Sequence, residues 1–294
     1  MSKLLLSGPV GTMLAPFSKG LGVCDFLNIE APEKVFAMHR AYIEAGADII
    51  TTNTFNSNRA ALATHSSAIS PYHLNAKAVS IAREAIEMAA PGRHIYVSGL
   101  IGAPPPDAKD VQGAFREQAE ALIESGADII QIETLYDSKE AAAALRGIRK
   151  AIEETPGDVK LFASATATPD SHLPSGESLH RFVEIAEENG ADLIGLNCGF
   201  GPENMRAPLR QLISLTSALL LYYPAASAPG RFSYSPEEFA MQMSEAIREP
   251  RIAVAGACCG ATEAHIRRLR EYIDNSASRE CNKAQLRVDT FFLS

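Results

Sequence analysis

The sequence predicts an α/β protein folded as a single (β/α)8 TIM barrel over residues 1–294, and three observations carry that expectation. A seven-residue pattern recurs as Glu44-Ala45-Gly46-Ala47-Asp48-Ile49-Ile50, Glu124-Ser125-Gly126-Ala127-Asp128-Ile129-Ile130 and Glu188-Asn189-Gly190-Ala191-Asp192-Leu193-Ile194. Each copy closes an amphipathic helical pattern, offers glycine where a left-handed residue ends a helix, and enters a short apolar run, which makes it a helix-to-strand joint. Short apolar runs alternate with helical patterns along the whole chain, and such runs suit a parallel sheet covered by helices. Finally, 294 residues hold eight such units as one domain of ~250 residues with elaborated loops.

Taken in order, strands are expected near 4–7, 48–52, 94–99, 128–132, 159–165, 192–197, 219–222 and 252–255. Helices are expected near 32–45, 72–90, 112–125, 138–153, 178–189, 203–216, 236–248 and 262–273. The polar and glycine-rich motifs follow the strands: Ser7-Gly8-Pro9-Val10-Gly11-Thr12, Thr52-Asn53-Thr54-Phe55, Gly99 to Gly102, Glu133-Thr134, Asn197-Cys198-Gly199 and Cys258-Cys259. Functional groups gather at the carboxyl ends of barrel strands, so this placement favours a closed barrel over an open doubly wound sheet.

A net charge of -8 without any clustered Lys/Arg run argues against nucleic-acid and anionic-membrane partners and for small-molecule chemistry. The first residues enter a strand-like run without a signal-peptide core, and no apolar stretch approaches ~18 residues, so a cytoplasmic, soluble protein is expected. Five cysteines in a reducing compartment favour metal or thiol chemistry over a disulfide framework.

Cys258 and Cys259 are adjacent, and neighbouring residues point their Cβ atoms apart, so they are poorly placed to bridge each other. With Cys198, also beside glycine at a strand end, they offer three thiolates and an open fourth position, the pattern of a catalytic zinc site. Any one of these cysteines alone would read as a small buried apolar residue. Cys24 and Cys281 stand apart and read as bystanders. A zinc ion held by three thiolates suits a substrate thiol, which loses its proton and stays nucleophilic at neutral pH. Glu133 is placed to meet a substrate ammonium, or else is a salt-bridged rim carboxylate. Gly8 and Gly11, with Thr12, leave backbone N–H groups for a carboxylate, or simply form a tight turn. The seven histidines show no metal-binding spacing, and His39 and His265 read as surface or packing residues.

Together these motifs resemble the homocysteine S-methyltransferase family, which includes betaine- and S-methylmethionine-dependent enzymes and the homocysteine-binding domain of cobalamin-dependent methionine synthase. The family's Asp-Gly-Ala-Met-Gly-Thr opening is similar to Ser7 through Thr12, its Thr-Asn-Thr-Phe to the segment ending at Phe55, and its Glu-Thr to Glu133-Thr134. Its Gly-x-Asn-Cys is similar to Gly195-Leu196-Asn197-Cys198, followed by Gly201-Pro202-Glu203, and its Gly-Gly-Cys-Cys-Gly to Gly256 through Gly260. Leu27 through Arg59 looks closest to the methionine synthase branch. The resemblance implies a (β/α)8 barrel, zinc on Cys198, Cys258 and Cys259, and substrate contacts at Ser7, Gly8, Asn53, Glu133 and Asn197.

Three positions depart from the family pattern: its opening aspartate is Ser7, the aspartate of Gly-Asp-Ile-Gly-Pro is Leu100, and the asparagine of Glu-Pro-Asn-Ala-Gly is Ala225. The reading is therefore a zinc-dependent thiol S-methyltransferase that forms methionine from homocysteine. The methyl group is expected from a separate corrinoid or other donor protein, because no cobalamin or folate domain is recognisable in the chain. The departures keep two alternatives open: methyl transfer to a different small thiol, and a catalytically impaired zinc- or thiol-binding barrel.

Overall fold

The computed structural model describes residues 3–279 apart from 64 and 66–68; Cys281 lies outside the described residues. Eight strands form one parallel sheet: β1 (Leu4–Leu5), β2 (Ile49–Thr51), β3 (Tyr96–Ile101), β4 (Ile129–Leu135), β5 (Lys160–Ala165), β6 (Leu193–Cys198), β7 (Leu219–Pro224) and β8 (Ile252–Ala255). Each is followed by a long helix: α1 (Pro32–Glu44), α2 (Pro71–Ala89), α3 (Val111–Glu124), α4 (Ser138–Glu154), α5 (Leu179–Glu188), α6 (Arg206–Leu215), α7 (Pro236–Arg248) and α8 (Glu263–Arg279). Consecutive strands pair in sequence order and β8 pairs with β1. A Leu6–Ile49 bridge, with Ser7 N–H donating to the Ile49 carbonyl at 2.8 Å, joins β1 to β2 and closes the barrel.

The expected alternation is thus present, with local differences. Strand β3 runs on to Ile101, so Gly99 lies inside it rather than in the following loop; a Cβ there would come within 2.9 Å of Leu122 on α3. Glu133, Thr134, Asn197 and Cys198 likewise form the last residues of strands β4 and β6. Short helical segments at Val10–Leu14, Cys24–Phe26, Leu27–Glu30 and Arg59–Leu62, and a two-stranded hairpin of Ser227–Ala228 with Phe232–Ser233, elaborate the barrel. His39 and His265 both prove to be packing residues. The His39 ring is fully buried without a hydrogen-bond partner among the described residues, and burial lowers its pKa to about 4. His265 Nδ1 lies 3.1 Å from Thr262 N at the start of α8.

The recurring joint does the same work three times. Gly46, Gly126 and Gly190 take positive φ angles of 98°, 95° and 66°, and the alanine after each donates its N–H back to the carbonyl five residues earlier, closing the helix end. The aspartate that follows accepts the first free N–H of a neighbouring strand: Asp48 from Leu5 at 2.9 Å, Asp128 from Val97 at 2.7 Å and Asp192 from Leu161 at 2.7 Å. Its own N–H donates to the carbonyl of the same residue. Each joint therefore ends a helix, starts one strand and pins its register to the previous one.

Inside the barrel the strands alternate, and the polarity changes along its axis. Ile49, Ile129, Phe162, Leu193 and Leu221 make an apolar floor. Two residues further along β2, β4, β5 and β7 stand Thr51, Gln131, Ser164 and Tyr223, all buried. One more step along β4 brings Glu133.

Replacing Asp192 with alanine leaves the Leu161 N–H without its charged acceptor, so unfolding free energy in urea should fall by about 1–2 kcal/mol. A loss within about 0.5 kcal/mol, the range of ordinary surface substitutions, would show that the pin does not stabilise the barrel.

Candidate active site

The carboxyl ends of the strands open on a cavity of about 620 Å3. Cys198 ends β6, whereas Cys258 and Cys259 follow β8, so closure of the barrel around β7 brings together thiols some sixty residues apart in the chain. Local backbone contacts then set each one. Cys258 N–H donates to the Pro224 carbonyl at 2.8 Å, and the Cys259 carbonyl accepts from Ala226 and Ser227 N–H at 2.9 and 3.0 Å. Gly260, at φ +80°, turns the chain away where a Cβ would fall 1.9 Å from Ser227 Oγ, and its N–H is taken by Thr12 Oγ1 at 3.0 Å. Cys198 itself holds φ +56°, a left-handed conformation that costs a non-glycine residue of order 1–3 kcal/mol and persists where surrounding structure imposes it.

The three sulfurs lie within 4.8 Å of one another, the Cys198–Cys259 pair at 3.3 Å; among the described residues this is the one cluster of three potential metal ligands. A tetrahedral zinc ion with sulfur at about 2.3 Å requires sulfur separations of about 3.8 Å, so these thiols fit it with small side-chain adjustments. Hydrogen bonds from the Cys198 and Cys258 thiols push Cys259 down to about 3. Cys258, hydrogen-bonded to both neighbours and buried, is pushed well up. A bound cation would favour the thiolate form of all three.

Glu133 faces the same cavity. A register shift between Ile132 and Leu135, with Thr134 at φ +63°, turns the end of β4. Its Oε2 accepts from the Tyr223 hydroxyl at 3.0 Å and Gln131 Nε2 at 3.3 Å. Burial nonetheless raises its pKa to about 7; the Tyr223 hydrogen bond opposes the rise and negative charge at Cys198 adds to it. Asp25, from the Cys24–Phe26 turn, is a second carboxylate in the lining. It accepts from Asn56 N–H at 2.7 Å and Ser57 Oγ at 2.8 Å, and burial raises its pKa. Among the described residues no lysine, arginine or histidine lines the cavity, so its field favours cationic ligands.

The other residues singled out from the sequence take different places. Ser7 and Gly8 line the cavity, but Ser7 Oγ is engaged by Thr51, accepting its N–H and lying 3.2 Å from its hydroxyl. Gly8 is required by close approach, since a Cβ would sit 2.6 Å from the Tyr42 ring. Asn53 also lines the cavity while its amide holds the 24–28 segment, donating to the Cys24 carbonyl at 2.8 Å and to Asn28 Oδ1 at 3.1 Å. Asn197 is fully buried outside the lining and braces Thr134 through two hydrogen bonds of 2.8 and 2.9 Å. Cys24, read from the sequence as a bystander, stands in the lining, its thiol donating to Ser18 Oγ at 3.4 Å. The sequence reading also passed over Asp25 and Tyr223 as site residues; for Tyr223 the available signal was a polar group two residues beyond apolar Leu221 in a strand, the spacing that also joins Gln131 to Ile129.

Known proteins resemble this chain in sequence and in fold. The chain is 32% identical over 275 residues to a protein named methionine synthase from Mycobacterium tuberculosis, a match covering 87% of this chain and 23% of that much longer protein. In the crystal structures of the homocysteine methyltransferase MmuM from Escherichia coli, the apo form superimposes with a TM-score of 0.70 at 25% identity and the metallated form with 0.73 at 24%. Both cover 92% of this chain and 96% of that one. The family described as homocysteine S-methyltransferase matches residues 4–273, from the first strand into the last helix, and the chain belongs to that family.

Proposed function

We propose that the protein is a zinc-dependent S-methyltransferase that takes a methyl group onto the sulfur of homocysteine, forming methionine. The observation that carries this reading is the three-thiol cluster opening on the same cation-favouring cavity as Glu133. Family membership supports it, as do the names of the two relatives, one a methionine synthase and the other solved in a metallated form.

Cys198, Cys258 and Cys259 would hold zinc, leaving a fourth position toward the cavity. Bound there, zinc supplies a Lewis acid that keeps a coordinating thiol deprotonated at neutral pH. Glu133, as the carboxylate, pairs with the substrate ammonium and so orients the chain between the two groups. The buried Tyr223 and Gln131 donors keep that carboxylate in place. The donor reaches the sulfur from the open mouth of the barrel, carried by a corrinoid protein or another methyl-donor protein. A different small thiol remains the second reading on one observation: the Ser7 hydroxyl is already engaged by Thr51 and offers the ammonium no charge.

Purified protein should contain about one zinc per chain, and Cys198→Ala or Cys259→Ala should lose it while the far-ultraviolet circular dichroism stays that of a folded barrel, whose core does not depend on metal. Full zinc in a variant lacking all three cysteines would refute the site.

Glu133→Gln should raise the homocysteine dissociation constant at least tenfold, the loss of one charge-assisted contact, and leave 3-mercaptopropionate binding unchanged in calorimetric titration. The same variant should gain stability where wild type must bury the anion. Because the folded-state pKa of Glu133, about 7, lies above the ordinary 4.5, wild-type stability falls as pH rises through that interval. Metal-free Glu133→Gln is expected to be more stable than wild type by on the order of 2 kcal/mol at pH 8, allowing for partial solvation, and by little at pH 5. Equal stability at both values in urea titrations would show that Glu133 ionises freely.

A further inference from the structure

A second cavity lies on the outside of the barrel, between α6 and α7, and shares no lining residue with the cavity of the thiols. Around the outer layer each helix makes contact with the next, except that α6 and α7 scarcely touch. Tyr222 stands in that gap. Adjacent strand residues face opposite ways, so where Tyr223 turns inward to Glu133, Tyr222 turns outward between the two helices. The groove measures about 360 Å3, at the lower end of small-molecule sites. Leu209 and Ile213, one turn apart on α6, and Ala246 on α7 give it apolar walls.

Two features of the groove point to a ligand. Tyr222 is 1% exposed, yet its hydroxyl has no hydrogen-bond partner among the described residues, whereas buried phenols ordinarily find one. Burial raises its pKa, so it remains a donor at neutral pH, and the Arg206 guanidinium acts on it more strongly than the Glu245 carboxylate does. The second feature is an excess of positive charge. Arg206, Arg210 and Arg248 line the groove against two carboxylates, and one of these, Glu249, is engaged elsewhere: its Oε1 accepts Arg251 N–H at 3.2 Å and lies 3.8 Å from that guanidinium. Glu245 is held by Arg210 at 2.7 Å, Arg206 reaches Gln242 beside it, and the Arg248 guanidinium makes no salt bridge among the described residues. The sign of the field is thus opposite to that of the thiol cavity.

We propose that the groove between α6 and α7 is a binding site for a small organic carboxylate with an apolar body, an aromatic or branched aliphatic acid. Its carboxylate accepts from the Tyr222 hydroxyl and from Arg206, whose planar guanidinium matches a carboxylate. Its body lies against Leu209, Ile213 and Ala246. A bare inorganic anion leaves those apolar walls uncovered, and a neutral or cationic molecule leaves the arginines without a counter-charge. The site stands independently of the methyl transfer proposed above.

Calorimetric titration of the full chain with phenylacetate tests the site. Wild type is expected to bind one molecule per chain, and to bind 2-phenylethanol, which has the same body without the charge, and inorganic phosphate about tenfold or more weakly. Tyr222→Phe and Arg206→Met should each weaken phenylacetate binding about tenfold, the effect of one charge-assisted hydrogen bond. Without ligand, Tyr222→Phe should unfold thermally at the wild-type temperature or above it, because the hydroxyl has no protein partner to lose, and weaker binding is then not a folding defect. Cys259→Ala controls for a carboxylate drawn to the thiol cluster and should leave phenylacetate affinity within about twofold. Absence of saturable binding, binding that survives both groove variants, or binding lost in Cys259→Ala would overturn the proposal. Phosphate bound as tightly as phenylacetate would reduce the groove to a patch of surface arginines and overturn it too. So would self-association that Arg206→Met abolishes in a protein that does not bind phenylacetate, since a second copy of the chain would then occupy the groove.

Discussion

Three thiols within 4.8 Å of one another are the constraint around which the upper half of this barrel is built. Bringing three potential anions together is unfavourable in itself: hydrogen bonds among the thiols hold Cys259 below the usual thiol range, while its buried neighbour Cys258 is pushed well above it. The geometry is maintained by hydrogen bonds from the surrounding backbone. Strand β7 lies between the two cysteine-bearing strands and presents its last carbonyl to Cys258, the following residues bind the Cys259 carbonyl, and Thr12 reaches across from the first loop to Gly260. Left-handed backbone at Cys198 adds a conformational cost that only such surroundings can offset.

The layer beneath the thiols explains how a carboxylate is kept beside them. Polar side chains within a barrel are costly unless every donor and acceptor is paired. Here Ser98, Gln131, Ser164, Asn197 and Tyr223 contact one another and Thr134 and Glu133, forming a buried polar layer on an apolar floor. At Glu133 the proposed function runs against stability. Its burial favours the neutral acid, whereas the proposed ammonium ligand would need the anion and would supply the positive charge that the cavity lacks.

Much of the scaffold was legible in the chain because its signals are local. The Gly46, Gly126 and Gly190 joints announced helix ends and strand starts, and all three glycines have the positive φ that the pattern requires. What the pattern did not reveal is that Asp48, Asp128 and Asp192 each pin a different strand, since that partner lies some thirty or more residues away. The cysteine motifs were legible for a chemical reason: paired and glycine-flanked thiols at strand ends have few other uses.

By itself, then, the sequence determined the alternation of strands and helices, the helix-ending joints and the identity of the thiol and carboxylate groups at strand ends. Only the tertiary structure decided which polar side chains share a space. Strands buried on both faces carry little alternation, so the two-residue spacing from Leu221 to Tyr223 hints at the interior, but nothing in its neighbours places Tyr223 against Glu133. Asp25 and Cys24 joined the cavity lining because the turn that carries them is held over the barrel mouth by Asn53, Asn56 and Ser57. Asn197 moved the other way, from an expected substrate contact to a buried brace, because the last residues of β6 belong to the strand and its side chain points to Thr134. Closure makes neighbours of residues far apart in the chain, and whether a hydroxyl is spent on a strand or left for a ligand is settled only there.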